Sequence, residues 1–468
     1  MYRRYAHTCR TSLKGLFSMC PINRRVLLKS AGLTAAAVGS STVLGACTGN
    51  SPQQPQGLTA ITNARIFDGE RVLDQRTVLI EGGSIVAVTG TPPPHAQIVD
   101  AGGATLLPGL IDSHVHTSEE GLRDALLFGV TTELEMQGGF DAAGRKSIAN
   151  RDDLADVRSA GFGLTAPGGH PSELVPDDAQ PDTGDGEGPP EGESGANPAE
   201  SEVTTPEQAV AAVRTRAEGG SDFIKIMIED GHVLGAPNLP MMSNATVMAA
   251  VLEARRLGKL TVAHTLTVAA TEQAIAAGMD GLAHLFIDRP HTPQIIENMV
   301  RSGVFVTPCL CLNASIMGRT GAELAADSRV GPKLSPEWLA TLNGSLDKYP
   351  QGDFDAVLAT VAALHTAGVD ILVGTDVSVA WPELGGMAHG ASVHHEMQLL
   401  VKAGLTPIAA LKAATSTPAR RFGLLDRGRI AAGARADLLL VEGDPTTKIS
   451  DSLSIKDVWR RGVRQARK

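Results

Sequence analysis

The sequence predicts an α/β fold: a distorted (β/α)8 TIM barrel carrying a small accessory β-sandwich built from both termini. Three features of the 468-residue chain lead there. Eight apolar runs recur between residues 110 and 376, with helical periodicity between most pairs, as in parallel strands alternating with helices. β-branched runs without such helices occupy both flanks. Residues able to do chemistry fall where the central runs stop, and barrels of this kind gather their chemistry at the C-terminal strand ends.

Composition limits the partners. The chain is 43% hydrophobic and 20% charged, ordinary for a soluble globular protein with a sizeable core. A net charge of −10 and the lack of a basic stripe with interleaved aromatics exclude a nucleic-acid partner. A small-molecule substrate is expected instead.

Residues 1–47 read as an export signal. Asn23-Arg-Arg-Val-Leu-Leu-Lys29 precedes a weakly apolar Ala/Gly-rich run to Ala46, and no acid occurs before Asp68. This resembles a twin-arginine signal, and Leu44-Gly-Ala-Cys47 resembles a lipoprotein cleavage box that leaves Cys47 as the lipidated first residue. The run is too polar for a span, which needs roughly 20 strongly apolar residues. The expectation is a lipoprotein on the outer face of the cell membrane, touching lipid only through that anchor, with Met19 as an alternative start. Residues 48–57 form a tether.

Residues 58–107 and 423–468 supply the accessory β-domain. Its runs include Leu58–Phe67, Arg76–Thr89, Ala436–Pro445 and Ile455–Val463, separated by turn residues. Residues 108–422 form the barrel, with strands expected at 110–117, 130–136, 161–165, 222–228, 260–264, 280–285, 303–308 and 370–376. Asn244 is the expected cap of a helix over Ala245–Leu257. Of five cysteines, only Cys309 and Cys311 lie beyond the signal, and both read as small buried apolar residues.

The chemistry starts at Pro108-Gly-Leu-Ile-Asp-Ser-His-Val-His116. A strand's two-residue period points His114 and His116 to one face, where two imidazoles can chelate one ion, and Asp112 shares that face as a partner orienting an imidazole. Lys225 sits inside Phe223-Ile-Lys-Ile-Met-Ile, where a bare ammonium is costly to bury. His264, His284 and Asp376 each close an apolar run.

This set, with the Gly374-Thr-Asp376 ending, resembles the metal-ligand set of the amidohydrolase superfamily. The tail from Ala403-Gly-Leu-Thr-Pro to Gly428-Arg-Ile-Ala-Ala-Gly-Ala-Arg-Ala-Asp-Leu is similar to its imidazolonepropionase-like and metal-dependent prolidase-like branch. The resemblance spans about 57 to 468. It implies His114, His116 and Asp376 on one divalent ion, His264 and His284 on a second, and a carboxylated Lys225 bridging them. Imidazole and carboxylate ligands suit zinc. The implied reaction is hydrolysis of a C–N bond in an amide, cyclic amide or dipeptide-like substrate by a metal-activated hydroxide, with Asp376 moving the proton. Alternatives are a mononuclear deaminase, an ester, lactone or phosphotriester hydrolase on the same scaffold, and a metal-containing binding lipoprotein without catalysis.

Other polar residues carry weaker expectations. His170 resembles a substrate-contacting loop histidine of the prolidase-like branch, and His232 follows the fourth strand near the mouth. His394, His395 and Glu396 are expected on a solvated helix surface, since adjacent helical residues do not share a face. Residues 171–203 hold ten acids, no Lys or Arg, and many Gly and Pro, which marks an acidic loop insertion equal to the chain's whole net charge.

Overall fold

A computed structural model describes residues 57–174 and 201–466. The arginine pair, Cys47, the tether up to residue 56 and most of the acidic insertion lie outside the described residues. Among the described residues, no helix is long and apolar enough to cross a membrane.

The N-terminal runs fold as expected into short strands: β1 (Thr59–Thr62), β2 (Arg65–Phe67), β3 (Val72–Leu73), β4 (Thr77–Glu81), β5 (Ser84–Thr89), β6 (Gln97–Asp100) and β7 (Thr105–Pro108). Seven parallel strands follow: β8 (Leu110–Val115), β9 (Val130–Glu135), β10 (Asp156–Ser159), β11 (Ile224–Met227), β12 (Thr261–His264), β13 (Gly281–Ala283) and β14 (Phe305–Thr307). The C-terminal stretch adds β15 (Leu438–Val441), β16 (Ile455–Arg460) and β17 (Val463–Arg464).

The two chain ends meet in one sheet. Its order is β17-β16-β15-β7-β2-β3, with β15 antiparallel to both β7 and β16, while β5-β4-β1-β6 form a second sheet. Ile61, Ile66, Val78, Leu106, Leu438, Leu440 and Trp459 form an apolar cluster of their own between these strands. Alternation along β15 divides the work, because Leu439 and Val441 point instead into the large central core.

The central strands form two parallel sheets, β10-β9-β8 and β11-β12-β13-β14. Every residue of β8, β9 and β11 is buried, as in strands covered on both faces, although β8 and β9 carry several polar side chains. Parallel bridges carry the pairing past the sheet edges: Leu164 with Ile226, Val306 with Ile371, and Val115 with Val377.

Four expectations are corrected. The third strand lies at Asp156–Ser159, ahead of 161–165, because Gly161 turns the chain through a left-handed φ of +68° and leaves Leu164 and Thr165 only isolated bridges. Residues 370–376 form no regular strand: Ile371 and, just past the run, Val377 make isolated bridges to the two neighbours, and Asp376 turns through a left-handed φ of +62°. Ser243, not Asn244, caps the helix Asn244–Arg256, its Oγ accepting from Thr246 N at 3.1 Å. His394 and Glu396 are fully buried rather than solvated. Glu396 accepts from the backbone N–H groups of Leu310 and Cys311, both at 2.8 Å, and so caps the helix Leu310–Ile316. His394 bonds Phe128 O at 2.8 Å and Ser452 Oγ at 2.9 Å.

A buried charge network joins the central strands to the C-terminal sheet. Asp156 faces Arg427, Arg435 (3.0 Å), Arg158 (3.4 Å) and Arg460 (3.8 Å). Burial pushes its carboxyl up, but the four guanidiniums outweigh that and hold it well below the usual carboxylate range. Its folded pKa therefore lies below its unfolded value of about 3.9, so its stabilisation is complete above about pH 4 and is lost as pH falls toward the folded pKa. Asp156→Asn strands buried arginines and should destabilise the fold by about 3–5 kcal/mol. Denaturant unfolding at neutral pH checks this; a loss under about 1 kcal/mol would show the arginines to be satisfied elsewhere.

Candidate active site

The strand ends bring the predicted residues to one place. His114 lies on β8 and His116 one residue past it, Lys225 lies within β11, His264 ends β12, and His284 follows β13. With Asp376 and His170 they line a cavity of about 400 Å³.

Backbone geometry fixes two of them. His284 and Asp376 adopt left-handed φ values of +70° and +62°, a conformation costing a non-glycine residue about 1–3 kcal/mol unless its surroundings enforce it. Here the enforcement is hydrogen bonding: His284 N donates to Thr307 O at 2.8 Å and Asp376 N to His114 O at 2.7 Å.

Asp376 is the focus of the cluster. Its Oδ1 lies 2.8 Å from His114 Nε2 and 3.0 Å from His116 Nε2, and Lys225 Nζ lies 3.4 Å from His114 Nε2. His284 packs against His114 in a tilted contact and against His264 edge-on, at ring centroid separations of 4.7 and 4.5 Å.

The protonation states suit ligands. Burial, helped by the Lys225 charge, lowers His114 to about 4, and burial likewise drives His264 and His284 well below the ordinary histidine value. These imidazoles are neutral at pH 7 and offer lone pairs, as metal binding requires. Burial pushes the Asp376 carboxyl up, but His114, His284 and the hydrogen bonds with His114 and His116 hold it well below its usual range. Burial also lowers Lys225 to about 8, against the pull of Asp376.

The geometry of the donor set suits a metal. The ligand atoms of His114, His116 and Asp376 lie within 4.8 Å of one another, as do those of His114, His284 and Cys309. His284 Nδ1 is buried with no hydrogen-bond partner, an orphan that a ligand would satisfy. Nitrogen and carboxylate donors converging on one cavity fit a divalent ion.

Several partners escaped the sequence reading. Glu229 Oε2 lies 3.3 Å from His264 Nε2; burial holds this acid up at about 8. His116 Nδ1 donates to Gln137 O at 3.0 Å. His389 spans Glu133 and Ser378 O, at 3.2 Å each. The one local signal was Glu229 itself, an acid immediately after the apolar run that holds Lys225.

Cys309 is buried as expected, but its Sγ stands 3.7 Å from His114 Nδ1. Asp112 acts on backbone rather than on an imidazole: its carboxylate accepts from His114 N and Thr375 N, both at 3.1 Å, and from Thr375 Oγ1 at 2.7 Å. It pins β8 to the segment that carries Asp376. His170 packs 4.2 Å from the His264 ring and bonds Glu173 at 2.5 Å. His232 is exposed beside Tyr349 and does not line the cavity.

The amidohydrolase family model matches residues 105–464, most of the chain. This chain belongs to the amidohydrolase family. The amidohydrolase is 26% identical over 421 residues to an imidazolonepropionase of Cereibacter sphaeroides, covering 85% of this chain and 94% of that protein. It is 24% identical over 441 residues to an allantoinase of Solibacter usitatus, covering 82% and 84%. Among solved structures it is similar to a Xaa-Pro dipeptidase with methionine bound in its active site, with a TM-score of 0.65, 22% identity, and coverage of 87% of this chain and 99% of that one. The fold is accordingly α/β and (β/α)8-like. The protein is a hydrolase acting on carbon–nitrogen bonds, and its family generally uses divalent metals.

Proposed function

We propose that this amidohydrolase cleaves a C–N bond in an amide, cyclic amide or dipeptide-like small molecule at a binuclear centre. The observation that carries this reading is the convergence of His114, His116, Lys225, His264, His284 and Asp376 on one cavity. His114, His116 and Asp376 would hold one divalent ion and His264 and His284 a second, with zinc favoured by the ligand types.

Lys225 would join the two. Its pKa of about 8 leaves an appreciable fraction of neutral amine near physiological pH, and only the neutral amine can take up CO2 to become a carbamate. That conversion replaces a buried cation with an oxygen-donating anion. When bound, the ions supply acidified water and a polarised substrate carbonyl. Asp376 would accept the proton of the attacking water and return it to the leaving nitrogen. Glu229 would hold the His264 ring through Nε2, leaving Nδ1 for coordination.

The finer architecture belongs to the same proposal. The bridges at Leu164, Ile371 and Val377 support a closed, distorted barrel over 108–422, and the shared sheet of β7 and β15 supports an accessory β-domain from 58–107 and 423–468. Export as a lipoprotein anchored at Cys47 completes the proposal on sequence grounds.

Elemental analysis of the purified protein tests the centre. About two equivalents of zinc-group metal are expected, with turnover of a small amide panel lost on chelation and restored by zinc. One equivalent would favour a mononuclear site at His114, His116 and Asp376; no metal uptake would remove the reading altogether.

A further inference from the structure

The cavity wall has a chemistry of its own. Away from the histidines, Lys225 and Asp376, it is largely aliphatic, built from Leu234, Leu266, Leu312, Ile316, Leu346 and Met387. Among the described residues no arginine lines it, and no lysine other than Lys225. Part of the polar capacity nearby is already engaged. Gln137 receives His116 Nδ1 on its carbonyl and Gly163 N on its side chain, Ser378 O accepts from His389, and His170 Nδ1 is committed to Glu173.

The mouth continues the theme. Val379 and Leu384 line the cavity, and Val379 and the neighbouring Trp381 are 45% and 54% exposed, an apolar lip on the segment that follows Asp376. Large apolar side chains left in water beside a pocket mark a surface that apolar ligands meet.

Resting on the hydrolase reading above, we propose that the substrate is an uncharged amide whose acyl or amine half is an alkyl or aryl group seated against this wall, and that a free carboxylate on that half is rejected. The wall provides no cation to pair with a carboxylate, and burying an unpaired carboxylate is far more costly than burying an apolar group of the same size. The cavity volume of about 400 Å³ lies within the roughly 300–1,000 Å³ range of small-molecule sites. Of the substrate classes the chemistry allows, this selects neutral amides over dipeptide-like ones.

The test uses the full chain loaded with zinc and two N-acetylanilides that differ only at the para position, methyl in one and carboxylate in the other. Binding is measured by calorimetry and cleavage by release of the aniline. The methyl compound should bind at least about 10-fold tighter and be cleaved with a kcat/KM about 100-fold higher, the scale on which an apolar pocket discriminates. Leu346 is half-buried and can lead a longer side chain to solvent, so Leu346→Arg should narrow the preference by about 10-fold through a guanidinium–carboxylate pair. Equal or tighter binding of the carboxylate by the unaltered protein would overturn the inference, and so would binding of neither compound. Binding of the methyl compound without cleavage would instead overturn the hydrolase reading and leave the apolar preference standing.

Discussion

Asp376→Asn is expected to lower kcat by about 10²–10⁴-fold on any amide the enzyme turns over, the usual contribution of one positioned proton-transfer group. The substitution keeps the size of the side chain and an oxygen for His114 and His116, the two groups now 2.8 and 3.0 Å from Oδ1, but removes the site that receives a proton. Elemental analysis run beside the kinetics separates the two ways of losing activity. Retained metal with lost turnover assigns proton transfer to Asp376. A fall of less than about 10-fold with metal retained would move that role to another group, and Glu229, an acid held at about 8 beside His264, would be the next to replace.

Lys225→Ala is expected to have the second large effect, and it reads out without turnover. Lys225 is 1% exposed and, among the described residues, lies within hydrogen-bonding distance of His114. Among the described residues a bare ammonium here is compensated chiefly by Asp376, whereas a carbamate would draw both imidazole pairs toward shared ions. Intact mass under non-denaturing conditions should show a CO2-sized increment in the native protein that the variant lacks, together with the loss of about one metal equivalent. Added short carboxylic acids should restore part of the activity by supplying the missing anion in trans. An unmodified mass with two ions still bound would exclude the bridge.

Much of this site was legible in the sequence because its members obey local rules. His114 and His116 share a face through the two-residue period of β8, and His264, His284 and Asp376 announce themselves as polar residues at the ends of apolar runs. Lys225 stands out by the cost of burying its charge. The partners that went unread obey no local rule. Glu229 and His264 are 35 residues apart, and Asp112 and Thr375 are 263 apart. Glu396 was placed on a solvated surface because helical spacing says nothing about what packs over a helix, and here the Leu310–Ile316 helix does.

The sequence by itself determined the periodicities, and through them the strand-and-helix order, the meeting of the two terminal β regions and the polar residues that close the apolar runs. Those follow from backbone geometry, which repeats every two or 3.6 residues whatever the neighbours are. Only the tertiary structure decided the remainder: where Gly161 broke the third strand, that Asp112 pins backbones, that His232 stays outside the cavity, and that the cavity wall is aliphatic. Leu234, Leu312 and Met387 look like ordinary core residues in the chain. They become cavity wall because packing brings three distant segments around one strand-end cluster, and that convergence has no signature in a one-dimensional pattern.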